Sequence, residues 1–359
     1  MNTLAEAIRP FVEKNYIAGA VMLVADKDRV LAHETIGYAD LATQRPMAPD
    51  ALFWIASMTK PMTATALTML IDEGKVGLED PVEKFIPEFK DQKYIAYKDD
   101  NTVLLRTPRQ PMVVRQALSH TGGLAFSLPM ETPTFDRFEI ADVARFHASV
   151  PLQYEPGTKY GYSNAGTNIA GRIIEVVSGQ KYEDFMDERL FHPLGMKDTT
   201  FWPTEEQMKR YATIYKVKAD KSGLEEAPLT QLEYPFTNRK RRPLVGGGLF
   251  STAFDCARFC QMILNGGKFE GRRFMSEAAV KMMIAKQTGD LVPDKYGLCF
   301  ATLDDGSYGH GGAYKTTMFI DPKLGLVRVF LYHHASDWPN DEAKTIGTAF
   351  TAAVSKLAP

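Results

Sequence analysis

The 359-residue chain has three cysteines, Cys256, Cys260 and Cys299. The count is odd and no Cys-x-x-Cys pair occurs. A disulfide framework and a thiolate zinc site are excluded as organising features. Cys256 and Cys260 are four apart on an expected helix that also carries Phe254 and Phe259, and they read as buried, reduced thiols. No stretch reaches the roughly 18 consecutive apolar residues that a membrane span needs. Glu6, Arg9, Glu13 and Lys14 leave no room at the N-terminus for the apolar core of a signal peptide. The sequence as written therefore points to the cytoplasm, or to a periplasmic or secreted protein if a leader was removed. An excess of one charge is missing too: 42 Lys plus Arg stand against 44 Asp plus Glu, a net charge of −2. A dedicated nucleic-acid binder would be basic. The nucleotide signatures G-x-G-x-x-G and G-x-x-x-x-G-K-[ST] and the G-x-S-x-G elbow of α/β-hydrolases are also lacking.

What remains is an ordinary globular composition, 45% hydrophobic and 24% charged, which excludes disorder as the main state. The length corresponds to about two domains at roughly 150 residues each. Periodicity predicts a helix over 4–14, then strands over 19–26 and 29–38 joined by a charged turn. A helix over 62–73 ends at Gly74. The middle is helix-rich (113–119, 140–149, 164–178, 182–191), with a polar hairpin in 92–112. Strands return over 296–303, 314–321 and 326–333, before a closing helix over 342–356. Strands at both ends joined by short turns predict an α/β (α+β) fold whose antiparallel sheet is built from both termini and flanked by helices. Residues 1–85 and 290–359 would form the discontinuous α/β domain, and 86–289 an inserted, mostly helical domain. The cleft between them is the expected site.

Three strings carry chemistry. Ser57-Met58-Thr59-Lys60 opens the helix that follows. A Ser and a Lys three apart share one helix face. The helix start offers N–H groups to an oxyanion formed at the Ser. The Lys can take the hydroxyl proton if burial lowers its pKa. Ser178-Gly179-Gln180-Lys181 has the same spacing but sits at a helix C-terminus, where the dipole opposes an oxyanion. Tyr162-Ser163-Asn164 follows: a tyrosine near an ammonium can have its pKa lowered and carry a proton. The plain alternative is a packed aromatic followed by an N-cap. His310-Gly311-Gly312 lies between two strands. Its paired glycines allow close approach of a substrate, and the N–H of Ala313 could serve as an oxyanion donor beside that of Ser57. A simple hairpin turn is the plain alternative.

Taken in this order, S-x-x-K, Y-x-N and H-G-G resemble the serine β-lactamase and penicillin-binding-protein-like hydrolases. The resemblance is to the class C β-lactamase-related branch that includes the family VIII carboxylesterases. FWIASMTK (53–60), LSHTGGL (118–124), YEPG (154–157), YGYSN (160–164), PLGM (193–196) and residues 246–259 extend it over about 10–335. It implies a β-lactamase/transpeptidase-like fold with Ser57 as the acylated nucleophile. Lys60 and Tyr162 would share its proton, and Asn164 would position Lys60 and the acyl group. Ser57 and Ala313 would supply the oxyanion N–H groups, and His310 would stand near the leaving group. In the lactamases S-x-x-K is accompanied by a Lys-Thr-Gly string; the third string here has a His and no hydroxyl at Gly311. That departure favours esters or small amides over β-lactams.

The expected function is a serine hydrolase working through an acyl-Ser57 intermediate, a carboxylesterase on short-chain esters. The enzyme alternatives are a β-lactamase, D,D-peptidase or D-aminopeptidase, and an acyltransferase. The non-enzyme alternative is a catalytically silent scaffold of the same fold. No metal or organic cofactor is implied, and the expected partner is a small-molecule ester or amide rather than nucleic acid. Phe126, Tyr234 and Phe236, with Gly311 and Gly312, are the candidate substrate-binding residues. His120 reads as a buried imidazole in a helix-ending turn. His333-His334 and the run Arg239-Lys240-Arg241-Arg242 read as solvated loops.

Overall fold

The computed structural model describes residues 3–290, 292, 293 and 295–357. Residues 1, 2, 291, 294, 358 and 359, which fall within the expected domain ranges, lie outside it. A seven-stranded antiparallel sheet dominates. Its strands are β1 (Gly19–Ala25), β2 (Val30–Asp40), β3 (Arg45–Pro46), β4 (Ala301–Thr302), β5 (Tyr308–Gly311), β6 (Thr317–Asp321) and β7 (Leu326–Leu331). Their order across the sheet is β4-β5-β6-β7-β1-β2-β3, so an early strand and a late strand meet at its middle. Val21 pairs with Leu331 and Leu23 with Val329.

The composition of β1 explains its place. Every residue of GAVMLVA is buried. Alternate side chains serve two cores: Ala20, Met22 and Val24 face one, and Val21, Leu23 and Ala25 face the other. A strand covered on both faces loses the polar alternation of a half-exposed one. The first core is covered by α1 (Leu4–Glu13) and by a C-terminal helix over Ile346–Val354, through Leu4, Ile8, Phe11, Ile346 and Phe350. The start of α1 is fixed by a capping box, in which the Thr3 hydroxyl accepts from the Glu6 N–H while the Glu6 carboxylate accepts from the Thr3 N–H.

On the other face lie α2 (Thr59–Asp72), α3 (Ala165–Ser178) and α4 (Ala253–Leu264). Helix α2 is buried from Thr59 to Leu70 and packs on α3. Helix α4 falls inside the expected helical insertion yet packs on β1, β6 and β7. The expected strand over 296–303 shortens to β4, and that over 314–321 begins at Thr317. The closing helix divides into Asp341–Lys344, Ile346–Val354 and a 3-10 turn over Ser355–Leu357. The expected hairpin pairs Tyr94–Lys98 with Val103–Arg106, but it is less polar at its surface than expected: Tyr97, Val103, Leu104 and Leu105 are exposed.

Candidate active site

Ser57 sits in a 3-10 turn, Ala56–Met58, that runs directly into α2. Ala56, just before it, is held at φ 46°, a left-handed conformation that costs a non-glycine residue about 1–3 kcal/mol. Strand β5 approaches this turn closely. A Cβ on Gly312 would meet the Thr316 hydroxyl at 2.1 Å and the Ile55 carbonyl at 2.6 Å, so only glycine fits there.

Lys60 is fully buried one turn behind Ser57. Its Nζ lies 2.7 Å from Asn164 Oδ1, 2.6 Å from the Gly246 carbonyl and 3.1 Å from Ser57 Oγ. Burial lowers its pKa to about 7. Asn164 is set by the start of α3, and its N–H donates to the Phe126 carbonyl at 3.3 Å. The Lys60 ammonium stands over the face of the Tyr162 ring, 4.9 Å from its centroid. The phenol interacts with the Ser57 hydroxyl, and burial raises its pKa. That is opposite to the lowering expected from a nearby ammonium: desolvation dominates, the bond to Ser57 offsets only part of it, and Lys60 has lost its charge well before the phenol would ionise.

His310 lies on β5 with both ring nitrogens engaged. Its Nδ1–H donates to the Gly311 carbonyl at 2.7 Å, and its Nε2 accepts from the Tyr296 hydroxyl at 2.9 Å. Burial, followed by the nearby Lys60 charge, lowers its pKa to about 3, so it is neutral.

Ser57, Phe126, Tyr162, Asn164, His310, Gly311, Gly312 and Ala313 line one cleft of about 320 Å³. Trp54, Ala56, Gln231, Leu244, Gly246 and Gly247 complete it and were not expected from the sequence. For Gly246 and Gly247 the run of glycines at 246–248 was the available signal. Two expected pocket residues are elsewhere. Tyr234 is 77% exposed, and Phe236 is packed behind the cleft among Trp54, Leu244 and Phe250. Ser178 is spent inside its own helix, its hydroxyl donating to the Ile174 carbonyl at 2.6 Å. All three cysteines are free and buried.

Two loop readings are corrected. His333 and His334 are buried, and the His333 ring lies between the carbonyls of Ala212 (2.9 Å) and Trp54 (3.1 Å). Arg241 is buried against Asp136 with an N–O distance of 2.6 Å, and it also donates to the Phe201 and Phe236 carbonyls. A charge in the interior needs such partners. Its neighbours Arg239 and Lys240 remain exposed. Among the described residues no group of three or more His, Cys, Asp or Glu side chains could hold a metal ion, and no helix is long and apolar enough to cross a membrane.

The family model described as Beta-lactamase matches residues 4–352. The chain is 28% identical over 361 residues to Esterase EstB of Burkholderia gladioli, covering 89% of this chain and 86% of that protein. It is 30% identical over 376 residues to an uncharacterized protein of Mycobacterium tuberculosis, covering 95% and 92%. Among solved structures it is similar to EstCE1, "a hydrolase with promiscuous acyltransferase activity". That likeness has a TM-score of 0.79 at 24% identity and covers 98% of this chain and 97% of that one. The seven-stranded sheet and its covering helices are thus a β-lactamase/transpeptidase-like fold, and the chain belongs to the beta-lactamase family of serine hydrolases.

Proposed function

We propose that the protein is a carboxylesterase that hydrolyses short-chain esters through an acyl-Ser57 intermediate. The observation that carries this reading is the set of partners around Lys60. Asn164 Oδ1 and the Gly246 carbonyl can only accept hydrogen bonds, so they take two of the amine's hydrogens. In the neutral amine the remaining position is a lone pair, and it faces Ser57 Oγ at 3.1 Å. Lys60 then takes the Ser57 proton as the oxygen attacks the ester carbonyl. The N–H groups of Ser57 and Ala313 receive the oxyanion. Tyr162, protonated because its pKa is raised, hands its proton to the departing alkoxide. It regains one from Lys60, the proton that Ser57 gave up. Water repeats the sequence on the acyl-enzyme and releases the acid.

The preference for esters rests on charge. Among the described residues lining the cleft there is no Arg or Lys to hold a substrate carboxylate, and His310 is neutral. The name of the Burkholderia gladioli relative, an esterase, supports the same reading. Hydrolysis of p-nitrophenyl butyrate by the wild type and by Ser57→Ala tests it, with intact mass after brief exposure to the ester. Turnover and a butyryl adduct are expected in the wild type only. Equal turnover by Ser57→Ala would overturn the nucleophile; turnover of nitrocefin or a D-Ala peptide, but not of the ester, would overturn the substrate class.

A further inference from the structure

His120 ends the helical turn Val114–Leu118 and lies against the cleft without lining it. It is 2% exposed and adopts φ 58°, the left-handed region. Such a conformation is held in place only when its surroundings fix it. Here they fix it onto the segment that carries Tyr162. The His120 carbonyl accepts from the Gly161 N–H at 2.8 Å and from the Tyr154 hydroxyl at 3.2 Å. Its ring Nδ1 accepts from the Ser163 N–H at 3.3 Å. The residues on both sides of Tyr162 are thereby tied to one histidine. The ring itself rests 4.6 Å from the Tyr162 ring and 5.0 Å from that of Tyr296, centroid to centroid.

An N–H can only donate, so Nδ1 must be unprotonated and the proton must sit on Nε2. That nitrogen is buried and has no hydrogen-bond partner among the described residues. A buried donor left unpaired costs about 1–3 kcal/mol. An apolar ring would avoid this cost but could not accept from Ser163. We infer that His120 is a positioning residue: as the neutral Nε2–H tautomer it fixes the backbone on both sides of Tyr162 and so holds the phenol at Ser57. The burial that keeps it neutral is reinforced by Lys60 and His310 nearby. The inference rests on the acyl-Ser57 reading.

The test compares His120→Phe with His120→Asn. Phe keeps an aromatic ring and loses the acceptor. Asn keeps an acceptor oxygen near the position of Nδ1 and tolerates the left-handed backbone, but leaves a larger void. If the residue served packing alone, activity would follow thermal stability, and the Asn variant would be the poorer enzyme. Positioning predicts the reverse order. On p-nitrophenyl butyrate, kcat of His120→Phe should fall about 10- to 100-fold at near-constant KM, and His120→Asn should recover most of it despite a lower Tm. Activity that simply tracks Tm would overturn the inference. The wild-type tautomer, read from histidine ring ¹⁵N shifts, tests it without any variant: a proton on Nδ1 would overturn it. A wild type that neither turns over esters nor is labelled at Ser57 by a fluorophosphonate would instead sink the hydrolase reading, while the tautomer measurement still judges His120.

Discussion

Among the titratable groups that line or back the cleft, Lys60 changes charge near neutrality. Its pKa is about 7, that of His310 about 3, that of His120 well below the usual value, and that of Tyr162 above it. In the proposed mechanism the reactive form of Lys60 is the neutral amine. The kcat/KM for p-nitrophenyl butyrate should therefore rise with pH through a single limb near 7, because this parameter reports the free enzyme. A flat profile, or a limb near pH 4, would assign the base elsewhere. The same shift has a sign for stability. Between pH 7 and the ordinary lysine value of 10.5 the unfolded chain binds the Lys60 proton and the folded one does not. Stability gains from this group as pH rises across that window, and the full burial cost is present below pH 7. Urea unfolding at pH 6.5 and 9 should reveal the gain when Lys60→Met is run beside the wild type, since the variant lacks this contribution.

At the scale of elements, the rim of the cleft is made by two loops that a buried ion pair joins. Asp136 accepts from Arg241 and from the Glu233 N–H, and its carbonyl accepts from the Arg242 N–H. The Phe135 N–H donates to the Gln231 carbonyl at 3.0 Å. These ties hold Gln231 in register with Phe126, both of which line the cleft. Asp136→Asn leaves the Arg241 charge buried without its counterion, a loss of about 3–5 kcal/mol. Chemical denaturation should show that loss, and the ratio of butyrate to octanoate ester turnover should shift as the rim loosens. An unchanged midpoint and ratio would show that the pair holds nothing together.

Much at this scale was legible beforehand. The continuous apolar run of β1, the short turns between the late strands and Gly179 ending α3 at φ 71° all read directly from residue type. Of the residues singled out in the sequence, Ser57, Tyr162, Asn164 and His310 line one cleft, with Lys60 buried behind Ser57. What could not be read was distance through space. An amphipathic α4 does not announce which layer it packs on. A basic run does not reveal that Arg241 alone turns inward toward an aspartate 105 positions away. Tyr234 and Phe236 are equally apolar in sequence, yet one points to solvent and the other into the core. The direction of the Tyr162 shift depended on burial, which periodicity around a single aromatic does not report.

At the scale of the whole molecule, the site draws on three distant parts of the chain. Ser57 and Lys60 come early, Tyr162 and Asn164 from the middle, and His310 to Ala313 from a strand far down the chain. Removing residues 301–359 deletes four of the seven strands and leaves β1 with one open edge. Such a chain should not react with a fluorophosphonate at Ser57, although the proposed nucleophile and its lysine are intact. Labelling at the wild-type rate would show that the late strands are dispensable.

The meeting of β1 with β7 also sets a clock during synthesis. When Ser57 and Lys60 leave the ribosome, most of the residues that surround them in the cleft have not yet been translated. The central strand must wait beside an unfilled place for some three hundred residues (Ala25 to Leu326 in sequence). A nascent chain thus lacks a completed cleft until the late strands have been made and have taken their places beside β1.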